Sequence, residues 1–139
     1  MPAPPRTAPT RPTDEKLTVN LGVIDLGRID LLVREGFYSN RSDLIRTAVR
    51  RELERHAETV RAATERETLV LGLRHFTAAD LEAARSRGET LAIRVLGLAS
   101  FADDVTPELA LATIDSLTVL GALHASPALK RALTERFLR

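Results

Sequence analysis

The chain has 139 residues, enough for one domain of ordinary size or two small ones. Apolar residues make up 44%, so a packed core is within reach, and with four Phe, one Tyr and no Trp that core must be built from Leu, Val, Ile and Ala. The absence of Cys excludes disulfides, thiolate nucleophiles and Cys-ligated zinc, and a net charge of +1 gives no bulk pull toward nucleic acid. Positive charge is instead concentrated: Arg41 to Arg51 holds four Arg against one Asp.

Residues 1–15 contain all but two of the seven Pro, and are expected to form a disordered tail. Arg6 and Arg11 in this tail are candidate contacts to DNA phosphates. Lys16-Leu-Thr-Val-Asn-Leu-Gly22 then alternates strictly. Leu17, Val19 and Leu21 share one face of an extended segment, and Lys16, Thr18 and Asn20 share the other. A single strand of this kind has no ladder partner, and no second strand follows nearby.

Leu26, Ile29, Leu32 and Val33 keep helical spacing, which predicts a first helix over 26–35. Gly36 stands where a helix end favours a left-handed residue. In Asn40-Arg-Ser-Asp43, Asn40 suits an N-cap and Asp43 the third helical position of a capping box. Leu44, Ile45, Ala48, Val49 and Leu53 give this second helix its apolar stripe, with Arg46, Arg50, Arg51 and Arg55 outside it. With no Pro or Gly to stop it, the second helix is expected to run to about Arg66.

The order of these elements, and Asn40-Arg-Ser-Asp-Leu-Ile-Arg46 above all, resembles the ribbon-helix-helix family of bacterial DNA-binding proteins over residues 15–55. The resemblance implies an intertwined homodimer with an antiparallel two-stranded ribbon. Leu17, Val19, Leu21, Ile29, Leu32, Ile45 and Val49 would form its shared core. It also implies that Lys16, Thr18 and Asn20 read base edges in the major groove, and their donors and acceptors suit that task. Asn40, Arg41 and Ser42, at a helix N-terminus, are the expected phosphate contacts.

The second half repeats. Leu69-Val-Leu-Gly-Leu73, Arg94-Val-Leu-Gly-Leu98 and Thr118-Val-Leu-Gly-Ala122 place Gly72, Gly97 and Gly121 at intervals of 25 and 24 residues. Each is followed by a helix start: Thr77-Ala-Ala-Asp80, Thr106-Pro-Glu and Ser126-Pro-Ala. Phe76 and Phe101 are equivalent, with Ala125 in the third unit. This pattern predicts three solenoid-like β-α turns with parallel strands. Val70, Val95 and Val119 would stack on one sheet face, and Leu71, Leu96 and Leu120 on the other. A parallel sheet apolar on both faces needs cover on both: the repeat's own helices can cover one, and the long second helix or another subunit must cover the other.

The expected class is therefore α+β: a tail (1–15), a ribbon-helix-helix domain (16–66) and a three-repeat domain (67–139) for oligomerisation or partner binding. The expected function is sequence-specific transcription regulation, as a repressor. Alternatives are an antitoxin whose C-terminal half binds a toxin, and a DNA-coating or partition protein that polymerises through the repeat. No nucleophile, base and orienting group converge, and no phosphate loop is present, so no enzyme activity or cofactor is expected. His56, His75 and His124 lack ligand spacing, so no metal is expected; a loop leading into a capped helix accounts for Asp103 and Asp104. No apolar run approaches the roughly 18 residues of a membrane span, nor is there a signal peptide, so a cytoplasmic location is expected.

Overall fold

The computed structural model describes residues 13–138, which divide into two compact units, Asp14–Ala63 and the chain from Thr64 onward. The tail with Arg6 and Arg11 lies outside the described residues.

In the first unit, residues 14–22 are exposed and form no helix or strand. The alternating segment is thus not a strand in the single chain, because its backbone groups have no second strand to pair with. Helix α1 spans Val23–Arg34. It starts three residues before the predicted position, because Gly22 is extended (φ −61°, ψ 147°) and Asp25 places a carboxylate in the first turn. Gly36 has φ +87°, and the amides of Gly36 and Phe37 donate to the carbonyls of Val33 (3.1 Å) and Leu32 (3.0 Å). That is the expected left-handed stop.

Helix α2 spans Arg41–Arg55 and α3 spans Ala57–Arg66. The single long helix predicted to Arg66 is therefore two helices. His56 leaves helical geometry (φ −102°, ψ 16°), and its amide donates three residues back to Leu53 at 3.1 Å. This tighter turn closes α2 before Val60 N–H, bonded to the His56 carbonyl at 3.0 Å, opens the next helix.

The second unit is built on a three-stranded parallel sheet, β1 (Val70–Phe76), β2 (Leu91–Phe101) and β3 (Ile114–His124), in the order β1-β2-β3. Each strand leads into a helix: α4 (Ala78–Ser86), α5 (Pro107–Thr113) and α6 (Pro127–Phe137). The three caps are those the repeat predicts. Thr77, Thr106 and Ser126 accept from the amides of Asp80, Leu109 and Leu129. Asp80 returns the bond by accepting from Thr77 N–H, and Asp104 adds a bond from Ala78 N–H at 3.1 Å. The loop aspartate thus helps to hold the start of α4.

The three glycines stand in register, Gly72 beside Gly97 and Gly97 beside Gly121. Their φ values are +124°, +141° and +122°. A Cβ on Gly97 would lie 2.2 Å from the Gly72 carbonyl oxygen, and one on Gly121 would lie 2.1 Å from that of Gly97. Only glycine fits at positions 97 and 121.

The sheet has two unequal faces. Ile93, Val95, Ala99, Phe101, Leu117 and Leu123 join Leu81 of α4, Leu109 and Ala110 of α5, and Leu129 and Leu133 of α6 in one buried cluster. All three helices therefore cover the same face. Phe76 and Phe101 stack there, ring centroids 5.2 Å apart. The predicted valine row is only partly enclosed: Val95 is buried, Val119 packs against the cluster, and Val70 at the sheet edge is 42% exposed. The leucine row does not fill a second core layer. Leu71 is 77% and Leu120 48% exposed, and Leu96 between them is half-buried. The repeats supply helices to one face only, so in the second unit the other face stays open.

Candidate nucleic-acid interface

In the exposed segment before α1, Lys16, Thr18 and Asn20 alternate with Leu17, Val19 and Leu21. The apolar set is 84%, 64% and 45% exposed. Burying such side chains is worth about 1.5–3 kcal/mol each, and the unit on its own leaves that unused. The helices repeat the theme. Ile29 is half-buried, while Leu32, Ile45 and Val49 are exposed, and none of α1, α2 and α3 has a buried residue.

At the start of α2 the expected phosphate contacts separate into different roles. Asn40 Oδ1 accepts from Asp43 N–H at 2.8 Å, and Asp43 accepts from Ser39 N–H at 3.0 Å. The backbone amides of Arg41 and Ser42 have no backbone acceptor among the described residues. They are the orphan donors that give a helix N-terminus its affinity for anions.

The Arg41 side chain is already engaged. It donates two bonds to Asp30 of α1, at 2.7 and 2.8 Å, in the fork geometry that suits a carboxylate. Those bonds hold the Asp30 carboxyl below the usual carboxylate range and push the Arg41 guanidinium up. This pairing sets α1 against the first turn of α2. It was not legible in the sequence, because the partners lie 11 residues apart with no periodic signal linking them.

On α2, Arg46, Arg50 and Arg51 are exposed, while Arg55 and His56 both approach Glu52, at 3.8 and 3.1 Å. Among the described residues no group of three or more His, Asp or Glu is placed to hold a metal ion. No described helix is long and apolar enough to cross a membrane.

The first unit thus presents an unpaired alternating segment, two helices clamped at their turn by Arg41 and Asp30, and a helix start with free backbone amides. The ribbon-helix-helix transcriptional regulator family matches residues 12–130, and the chain belongs to that family. No curated protein and no solved structure matches it. Membership makes the chain a DNA-binding regulator of a kind that usually works as a dimer, and the match reaches well into the repeat half.

Proposed function

We propose that the protein is a transcriptional repressor that acts as a homodimer. In this reading, residues 16–22 of two chains pair antiparallel, and the resulting ribbon enters the major groove. Leu17, Val19 and Leu21 turn inward onto Ile29, Leu32, Ile45 and Val49 of both chains. Lys16, Thr18 and Asn20 face the bases: Lys16 donates to guanine, Asn20 pairs with adenine N6 and N7, and Thr18 offers a hydroxyl and a methyl. The amides of Arg41 and Ser42 and the free side of Asn40 take a phosphate, and Arg6 and Arg11 add contacts to the backbone. Arg41 serves chiefly through its amide, since its guanidinium is held by Asp30. The glycine-registered strands and their helices form three turns of a β-α solenoid, carried as a separate module.

The observation that carries this reading is the exposure of Leu17, Val19 and Leu21 beside three polar residues of base-reading chemistry, in a chain of this family. The test is binding of the full chain to its own upstream DNA and to scrambled DNA at two salt concentrations. Wild type should prefer its own DNA. Lys16→Ala/Asn20→Ala should keep only salt-sensitive, unselective binding. If wild type itself does not distinguish the two DNAs, the ribbon does not read that site. Cooperative, unselective coverage of long DNA would then favour a coating role.

A further inference from the structure

We propose that the open leucine face of the parallel sheet packs against the same face of the second copy within one dimer. The proposal rests on the two-chain reading of residues 14–63. The face consists of in-register rows, Leu71–Leu96–Leu120 and Leu73–Leu98–Ala122, with His75, Ser100 and His124 along one end. Leu71 and Leu73 are 77% and 64% exposed, more than any other leucine of this unit. These leucines form one contiguous patch rather than isolated exposed positions.

Three observations select the occupant. The face carries no Asp, Glu or Lys; its one permanent charge is Arg94, which donates to the Glu67 carbonyl at 2.9 Å. Two identical faces therefore bring together little charge, one Arg94 from each copy, and no carboxylates, which suits a two-fold contact.

The face is also small. Three strands about 4.8 Å apart, over five residues of about 3.3 Å rise, give a footprint of roughly 250 Å² per copy. That is well below the roughly 800 Å² per partner of a stable free-standing complex. A partner arriving from solution would be held weakly. A partner already linked through the rest of the chain would not, because the second contact is then intramolecular and gains an effective concentration set by the link.

That link is the third observation. Residues 14–63 bury no side chain in the single chain, so that unit needs a second copy to acquire a core. Every folded ribbon dimer therefore carries two leucine faces. Sheet faces packed at about 10 Å would enclose both sets of leucine rows.

The test measures dimer dissociation of the full chain by dilution, with native mass from light scattering. Wild type should have the mass of a dimer. Leu71→Asp/Leu73→Asp should raise the dimer dissociation constant about tenfold or more, with the thermal transition of the repeat unit unchanged. An unchanged dissociation constant overturns the proposal. So does a wild-type tetramer that the variant converts to a dimer, because the face would then join separate dimers. Val49→Asp, in the ribbon unit, separates the two ideas. If that change leaves the dimer intact, the two-chain reading of residues 14–63 fails, and the link between the two faces with it.

Discussion

The two units solve the burial problem in opposite ways. From Thr64 onward the chain makes its own core: all the fully buried apolar side chains among the described residues lie between Phe76 and Leu133. Residues 14–63 make none, although Leu17, Val19, Leu21, Leu32, Ile45 and Val49 are as apolar as anything in the repeat. Composition does not separate them. What differs is where the complementary surface is encoded. The repeat finds its complementary surface within the same chain, whereas the apolar side chains of the alternating segment and of α1 to α3 find no cover in the single chain, and in the proposed homodimer a second copy supplies it. On that proposal, a region that looks unfinished in one chain is a region specified for two.

The largest expected effect breaks this contrast from the ribbon side. Val49→Asp should abolish dimerisation and DNA binding together, and should remove the helical signal of residues 23–66 while the melting transition of the repeat unit persists. Circular dichroism and mass measurement on the same sample check this.

From the other side, Leu81→Ala removes a side chain with no exposed surface from the repeat core and should cost that unit about 2–5 kcal/mol in denaturant unfolding. If the N-terminal transition moves by the same amount, the two units do not fold independently.

The glycine register gives a sharper comparison. Gly97→Ala meets both a left-handed φ and the Gly72 carbonyl, while Gly72→Ala meets only the φ. The first should destabilise the sheet by about 3 kcal/mol and the second by about 1–2 kcal/mol. Equal losses would mean that the carbonyl contact is relieved by backbone movement.

Smaller still, Thr106→Ala loses the cap to Leu109 N–H and should cost about 1 kcal/mol.

The smallest effect concerns the Asp30–Arg41 pair. Because the folded carboxyl titrates below its ordinary value, the contribution of the pair is complete above about pH 4 and is lost as pH falls through the lowered folded value. Asp30→Asn should flatten that acid-side loss in unfolding curves of the N-terminal unit. An unchanged pH profile would show that the exposed pair is fully screened.

How much of this was legible in the sequence follows the range of each interaction. Thr77, Thr106 and Ser126 could be read as caps because the bonded amide lies three residues on, and Pro107 and Pro127 mark the next position. The strand register was readable because glycine at a fixed interval leaves a trace in one dimension. The break at His56 was not, since no Gly or Pro marks it and the residue is an ordinary one in helices. The start of α1 was missed by three residues, because Val23 and Ile24 point to solvent in the single chain and so fall outside the periodic stripe. The Asp30–Arg41 clamp and the unequal faces of the sheet depend on how elements meet, which periodicity does not record.

The glycine ladder also restricts how the chain can change in length. Gly97 and Gly121 are each fixed by the carbonyl of the strand beside them, so a residue inserted between Ala92 and Gly97 would drive a side chain into the Gly72 carbonyl. An insertion in the turn at Gly88 and Glu89 leaves that alignment untouched. Growth or shortening of this half is therefore expected in whole units. Duplication or deletion of a whole unit of about 24 residues in frame with the glycines should be tolerated better than single-residue insertions and deletions within the strands, which should be accepted only in the turns between them.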